Sequence, residues 1–326
     1  MRLPGLFKHR ERGVALLTAL LVVAVATLAA VAMATRQQMV IRRTGNLLHG
    51  EQAYAYALAA ESWARVILLR DMQDSETDDL SEEWSTALPP ISVEGGTVEG
   101  LIEDLQGRYN INNLVGPDGN VVPEELAYFK QLLNQLDLEE QLADALIDWI
   151  DPNIETRFPD GAEDDVYLGE EVPYRTGNRY LSSISELRLV KGFTQEIFMQ
   201  LSPYLVALPN QTTLNINTAD PRLINALNQN MSESDVESML EGRAEKGFEN
   251  KADFLGHENF AGQEVTAGID VTTNYFAVHT NVVIGQGRAR LLSLMQRTDE
   301  GVRVLSRIRE VNTGQPLRVV VEDEES

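Results

Sequence analysis

Carboxylates are unusually dense between Asp148 and Glu171, where the sequence reads DWIDPNIETRFPDGAEDDVYLGEE with Arg157 as its basic residue. Calcium takes about six to eight oxygen ligands from carboxylates and carbonyls, often in a flexible loop. Gly161 follows Asp160 directly and permits a tight turn that brings carboxylates together. The spacing is not that of an EF-hand, so the residues alone leave two interpretations open: a solvated acidic loop or a divalent-cation site.

Other chemistry finds little support in the residue types. There is no cysteine, so thiolate metal sites, a cysteine nucleophile and disulfides are excluded. The histidines have no partner at i+4, which argues against a zinc site or a histidine base: His9, His49, His257 and His279. The acidic pair Asp164–Asp165 could suggest glycosidase or aspartic-protease chemistry, but no nucleophile constellation accompanies it. We therefore predict a protein that is not an enzyme.

The charge balance excludes most nucleic-acid binding. The chain has 27 Lys and Arg against 50 Asp and Glu, a net charge of −23 over 326 residues. Affinity for nucleic acid rests largely on cationic neutralisation of phosphates. The composition instead favours cations or basic partners, and a hydrophobic content of 43% indicates a folded chain with a sizeable core.

The amino terminus combines a basic leader with a long apolar segment. Residues 1–13 end in Gly13, and the following residues, Val14 to Ala34, carry no charge. At about 1.5 Å per residue this segment spans about 30 Å, the thickness of a bilayer core. Apolar residues then recur at helical spacing to about Leu69 without proline, which predicts one helix of about 55 residues. We expect a single-pass anchor with a cytoplasmic amino terminus.

An ordinary signal peptide is the alternative for this segment. The AMA tripeptide ending at Ala34 imitates a signal-peptidase site, and cleavage there would release a secreted protein, for instance a hydrolase. The length of the apolar run and the helix that continues beyond it favour retention in the membrane.

The rest of the chain predicts an antiparallel sheet divided by a large insertion. Residues 91–105 form a hairpin pattern around Gly95–Gly96, and 274–285, 287–298 and 301–311 read as strands with turn residues between them. Phe276 and every second residue to Ile284 share one face. The insertion is rich in short helical patterns, each half opening with Asn-Ile-Asn, a turn and cap signal.

Within the insertion, residues 214–255 resemble one helix-hairpin-helix unit of DNA-binding proteins. The loop that would hold a phosphate, ALNQNMSESD at 226–235, has no glycine and two acidic residues. A membrane-tethered DNA-uptake protein is therefore the weaker alternative, and a scaffold reused for protein contacts is favoured.

The junction RERG–VALLTALLVVAVAT, followed by RQQMVIRRTGNLL, resembles the type IV prepilin class. The resemblance implies cleavage by a prepilin peptidase after Gly13 and methylation of Val14. Most members carry Glu at the fifth mature position, where this chain has Thr18. Absence of that Glu is characteristic of the minor pseudopilin K family of type II secretion systems.

Strings throughout the head are similar to the same family, so the resemblance covers essentially the whole chain: DLQGRYNINNL, DWIDPN, PYRTGNRYLSSISELRLVKG and LNINTA. It implies an α+β fold in which a long transmembrane and amphipathic helix packs on an antiparallel sheet with a large helix-rich insertion. The expected division is 1–13 leader, 14–34 membrane span, 35–71 helix continuation, 72–106 first part of the sheet domain, 107–270 insertion with the acidic loop 148–171, 271–315 final strands, and 316–326 acidic tail.

The resemblance also implies function. It predicts a subunit at the tip of the pseudopilus, in the bacterial inner membrane with a periplasmic head, that nucleates assembly for export of folded proteins across the outer membrane. The implied partners are the minor pseudopilins I and J and the prepilin peptidase, with the secretin or secreted cargo as further contacts. The family binds calcium in its acidic region, which implies a structural calcium ion here, with these expected ligands: Asp160, Glu163, Asp164, Asp165 and Asp151.

Overall fold

The computed structural model describes residues 10–309, apart from positions 229, 242, 244, 245, 258, 259, 261–264 and 266. The predictions for residues 1–9 and for the acidic tail lie outside the described residues. Within them, a long helix packs on a five-stranded antiparallel sheet that is interrupted by a helix-rich segment. The predicted α+β class is therefore confirmed.

Helix α1 spans Arg10–Asp74, a length of 65 residues. It is longer than the predicted helix of about 55 residues, and its last turn, Asp71–Asp74, lies beyond the apolar spacing that ends at about Leu69. Arg297 explains the difference, since it donates to Asp71 at 2.7 Å and fixes that turn against the sheet. By length and composition, Val14–Asp74 is the one helix of the described part that could cross a membrane.

The remaining elements are short by comparison. The strands are β1 Leu88–Val93, β2 Gly96–Asp104, β3 Tyr109–Asn110, β4 Leu205–Val206, β5 Leu214–Asn215, β6 Ile269–Asp270, β7 Tyr275–Ile284, β8 Gly287–Thr298 and β9 Gly301–Arg309. The helices after α1 are α2 Pro123–Gln135, α3 Leu142–Ile150, α4 Asp164–Tyr167, α5 Gln195–Leu201, α6 Pro221–Asn225, α7 Glu233–Leu240 and α8 Lys251–Leu255, with 3-10 turns at Glu83–Ser85, Ile111–Leu114 and Ile184–Leu189.

The sheet has the strand order β1-β2-β7-β8-β9, and every neighbouring pair is antiparallel. The predicted hairpin at Gly95–Gly96 is confirmed, with Gly95 at a φ of 84° that favours glycine. Phe276 and its alternating partners to Ile284 are all buried on the face that α1 covers, as the period-two pattern predicts.

Small side chains bring α1 close to the sheet. Ala53, Ala57 and Ala64 are buried on this face of the helix, whereas the larger Trp63 is 45% exposed. A methyl group added at Gly287 would overlap the backbone of His49, so the β7–β8 turn requires glycine where it touches the helix. The sheet therefore packs on these alanines together with Ile67 and Leu68, which are also buried against it.

The helix-rich segment has its own core and two small parallel strand pairs, β3 with β4 and β5 with β6. Each pair begins at one of the Asn-Ile-Asn strings. Asn110 accepts a hydrogen bond from the Asn112 N–H at 3.3 Å, and Asn215 accepts one from the Asn217 N–H at 3.0 Å. The predicted turn role of these asparagines is confirmed, but sequence patterning did not predict the strand pairs.

Candidate cation site in the acidic loop

Helix α3 and the residue that caps its end place buried carboxylates in the core of the helix-rich segment. Every residue of α3 is buried, including Asp148, which is 0% exposed. Asp151 ends the helix and is also buried, with its Oδ1 accepting from the Asn153 N–H at 3.1 Å. Since burial of a charged group is unfavourable without a partner, both residues need a counter-charge or donors.

The loop after α3 folds back over Asp148. The Arg157 N–H donates to the Asp148 carboxylate at 3.1 and 3.3 Å, and the Gly161 N–H donates to the Arg157 carbonyl at 2.9 Å. A methyl group at Gly161 would overlap Asp148 Oδ2 and the Arg157 backbone. Glycine is therefore required at 161 because the loop passes so close to this carboxylate.

Glu163 is buried beside these groups without compensation. It is 4% exposed, and neither of its carboxylate oxygens has a hydrogen bond of ordinary geometry. Its backbone caps α4, where the Glu163 carbonyl accepts from the Val166 N–H at 2.9 Å. Leaving a buried carboxylate unpaired costs about 1–3 kcal/mol or more, so Glu163 is a candidate cation ligand.

The pKa shifts show that these carboxylates repel one another. Burial and the nearby Asp148, Asp151 and Asp164 carboxylates raise the pKa of Glu163 to about 7, although Thr176 lies close enough to offset part of the shift. Burial and Asp148 raise the pKa of Asp151 to about 6, and burial raises that of Asp148. A divalent cation would remove this repulsion.

The five predicted cation ligands do not all lie together in the fold. Asp151 and Glu163 lie with Asp148, a residue of the acidic loop that the sequence did not single out as a ligand. Asp164 already accepts from Arg175 at 2.8 Å and from the Thr176 N–H and hydroxyl at 3.1 Å.

The other two predicted ligands lie nearer to solvent. Asp160 is half-buried, with its backbone carbonyl accepting from Lys191 Nζ at 3.4 Å, and Asp165 is exposed. The signal for Asp148 was its position among Ile147, Trp149 and Ile150, since an acid within an apolar helical run is buried and needs a partner.

A second group of carboxylates lies at the end of α1. Among the described residues, Asp71, Asp78 and Glu82 alone bring three such oxygens within 4.8 Å of one another. Arg297 donates to Asp71 at 2.7 Å and also to Asp78, so this group already has a buried cation. The acidic-loop carboxylates are more widely spaced, and a bound cation would have to draw them together.

The described arginines of the hairpin-like region at α6 and α7 are engaged by the local fold, and Arg222 of α6 donates to the Tyr204 hydroxyl at 2.8 Å. Arg243, which follows them, donates to the carbonyls of Ile216 at 3.2 Å and Ala219 at 2.6 Å. This guanidinium is used to close the local fold. The arrangement fits a packing scaffold and gives no support to DNA binding.

A helix that is apolar in its first third and packed through its last third on an antiparallel sheet defines a pilin-like subunit. The family described as type II secretion system (T2SS), protein K matches residues 107–210 and 214–277. Type II secretion system protein K of Pseudomonas aeruginosa is 36% identical over 313 residues, covering 92% of this chain and 93% of that protein. The protein K of Aeromonas hydrophila is 33% identical over 327 residues, covering 94% and 98%.

A solved structure has the same fold. A chain in the crystal structure of the GspK-GspI-GspJ complex from enterotoxigenic Escherichia coli matches with a TM-score of 0.74 and 26% identity, covering 82% of this chain and 99% of that one. The chain therefore belongs to the type II secretion system protein K family. It is a minor pseudopilin of type II secretion, as the resemblance predicted.

Proposed function

We propose that this chain occupies the tip of the pseudopilus and nucleates its assembly for export of folded proteins across the outer membrane. The observation that carries this proposal is Thr18, whose hydroxyl donates to the Ala15 carbonyl of its own helix at 3.0 Å. No carboxylate lies between Val14 and Ala34 to pair with another subunit's amino terminus. A subunit without that group has no need of a neighbour above it.

The exposed amino-terminal half of α1 supplies both the membrane anchor and the filament contact. Residues 14–44 are exposed throughout, so this part of the helix has no partner in its own head. A span of this length fits the bilayer core, and we assign it to the bacterial inner membrane with the head in the periplasm. On assembly the same surface would pack on the helices of other pseudopilins.

Processing by prepilin peptidase is part of this proposal. Cleavage after Gly13 and methylation of Val14 would expose the mature end of α1. The mass and sequence of the mature amino terminus test this, with methylated Val14 as the expected result. Gly13→Trp is expected to block processing and secretion, whereas retained processing, or an amino terminus just after Ala34, would count against it.

The proposed partners are the minor pseudopilins I and J. A similar protein lies with GspI and GspJ in the complex described above, and this chain shares its fold. The head and the free part of α1 would both contribute to the contact. The bulky helix-rich segment would then cap the filament, facing the secretin or the cargo.

We also propose a structural calcium ion in the acidic loop. The residues present fit it, because Glu163 offers two unpaired buried oxygens and Asp148 and Asp151 are buried beside it. Asp164 and the rim residues Asp160 and Asp165 would complete the acidic surroundings. The ion would neutralise these carboxylates and hold the loop onto α3.

Immunogold labelling of pseudopili tests the position in the filament. An epitope on the head is expected to label one end of each filament, and deletion of the chain is expected to reduce filament number. Co-purification of the full chain with pseudopilins I and J tests the partners separately. Labels distributed along the filament would contradict the tip assignment without affecting the family.

A further inference from the structure

Three arginines follow the apolar part of α1 without compensating acids. Arg36, Arg42 and Arg43 lie in a stretch, 12–50, that contains no Asp or Glu, although the chain has 50 acidic residues. All three are exposed, and none forms an ion pair with a described residue. Uncompensated positive charge in a chain of net charge −23 indicates an anionic partner.

Their positions along the helix coincide with the edge of a bilayer. Arg36 lies about 3 Å beyond Ala34 along the axis, and Arg43 about 14 Å. The headgroup layer extends about 5–8 Å outside the hydrocarbon core. Helical side chains lean toward the amino terminus, here toward the bilayer, so Arg36 reaches the headgroup layer. Arg42 and Arg43 lie within about one Debye length, 8 Å, of its outer edge.

Their positions around the helix are also those of an interfacial segment. With about 3.6 residues per turn, the three arginines fall within an arc of about 120°. An adjoining arc of similar width carries four exposed apolar residues, Val40, Ile41, Leu47 and Leu48, whereas Met39 lies within the basic arc. Adjacent basic and apolar faces are typical of helices at a membrane surface.

The head leaves this segment uncovered. The β7–β8 turn meets α1 at His49, where the Gln286 N–H donates to His49 Nδ1 at 3.4 Å and Gly287 touches the helix backbone. Arg42 and Arg43 precede this contact by one to two turns. The three arginines therefore lie in the gap between the apolar span and the head.

We propose that Arg36, Arg42 and Arg43 form a basic collar that binds the phosphates of anionic phospholipids in the leaflet facing the head. This rests on the proposed membrane anchoring of residues 14–34. The bilayer is favoured over an acidic protein because its surface directly adjoins the span on which the collar is mounted. The collar would hold the subunit in the membrane, and withdrawal into the filament would require these contacts to break.

The test uses the full chain in nanodiscs of phosphatidylcholine and phosphatidylglycerol at a ratio of 3:1. Native mass spectrometry of protein released from the discs gives the ratio of the two lipids retained. Each basic residue near an anionic surface strengthens association by up to about five-fold. The wild-type chain is expected to retain phosphatidylglycerol preferentially, and the triple variant R36Q/R42Q/R43Q is expected to lose at least about three-fold of that preference.

A matched variant separates collar binding from net charge. R65Q/R70Q/R288Q removes three exposed arginines of the head and is expected to retain the wild-type preference. The basic leader is common to all three proteins and does not affect the comparison. Insertion of all proteins with equal lipid ratios would overturn the collar alone. Failure of all three proteins to insert would overturn the membrane anchor as well. An equal loss of phosphatidylglycerol preference in both triple variants would assign the effect to net charge and overturn the collar.

Discussion

Arg307 of β9 and Glu61 of α1 form a bidentate ion pair, with the Arg307 Nε 2.7 Å and Nη2 2.8 Å from the two Glu61 oxygens. Ser293 of β8 donates to the same carboxylate at 2.5 Å. Glu61 is 4% exposed, so its three donors replace the water that it loses. The pair joins the last strand to the middle of a helix 246 residues earlier in the chain.

Removal of Arg307 is expected to destabilise the helix–sheet contact. Arg307→Ala would leave Glu61 buried with Ser293 as its remaining donor. The expected loss in the free energy of unfolding is about 1–3 kcal/mol. We expect the low end of this range because the Arg307 side chain is half exposed. Urea unfolding measures the change. E61Q/R307A is expected to recover part of the loss, and a double variant as unstable as the sum of the single variants would contradict the pairing.

The same pair predicts a loss of stability in acid. Burial alone would raise the pKa of Glu61, but hydrogen bonds from Arg307 and Ser293 outweigh it and lower the pKa below 4.5. The stabilisation is therefore complete above pH 4.5 and is lost as pH falls through the lower folded-state pKa. In E61Q this acid-dependent loss is expected to be smaller in urea midpoints measured between pH 6 and 3.

In metal-free protein, the acidic loop predicts the opposite dependence of stability on pH. Because the folded-state pKa of Glu163 is raised from 4.5 to about 7, the folded protein binds more protons in that window, and stability falls as pH rises through it. Calcium is expected to raise the melting temperature at pH 7.5 and to remove this slope.

Variants of Glu163 and Asp165 distinguish the buried carboxylates of the acidic loop from those nearer to solvent. Glu163→Gln is expected to abolish most of the calcium-dependent rise in melting temperature, and Asp165→Asn, a change at an exposed carboxylate, is expected to keep it. A melting curve unchanged by chelation of metal-loaded wild-type protein would refute the cation site.

Arg297 is expected to be the most sensitive residue at the end of α1. It is buried, and it donates to Asp71, to Asp78 and to the Thr273 carbonyl at 2.8 Å. Arg297→Met would leave two carboxylates buried without a cation, at a cost of about 3–5 kcal/mol. Urea midpoints measure this. Arg288→Gln, at an exposed site, serves as the control and is expected to change the midpoint little.

Two glycines with opposite surroundings test the close approach of α1 to the sheet. Gly287→Ala would place a methyl group on the His49 backbone and is expected to destabilise the head. Gly45 has nothing within 4 Å, so Gly45→Ala is expected to stabilise the helix by up to about 1 kcal/mol. Thermal melts of both variants decide this, and equal effects would contradict the tight contact.

Thr18→Glu tests the tip assignment. An ionised Glu in the span with no partner above it is unfavourable, by up to about 3 kcal/mol at the centre of a helix. We expect fewer pseudopili and reduced secretion, while Thr18→Ser is expected to behave as wild type. Normal filament numbers in the Glu variant would show that the absence of a carboxylate here is not required.

Short-range patterns in the sequence determined the elements of this protein. An uncharged run of 21 residues can only be an apolar helix or a signal, and alternation in 274–285 places Phe276 to Ile284 on one face whatever the neighbouring strands are. The short helices of the insertion follow equally from apolar spacing and caps. The motifs of the pseudopilin K family likewise depend on local strings, which is why the family was predictable.

The tertiary structure decided which acids and cations meet. The fold pairs Glu61 with Arg307 and Asp71 with Arg297, and it places the Asp148 carboxylate near that of Glu163. The members of each pair are too far apart in sequence for a local pattern to predict that they meet. The clustering of acids in the sequence drew attention to Glu163 and Asp151 and equally to Asp165, but only the fold buries Glu163 and Asp151 together with Asp148 and leaves Asp165 exposed. Electrostatic energy depends on distance and desolvation, and both exist only once the chain has folded.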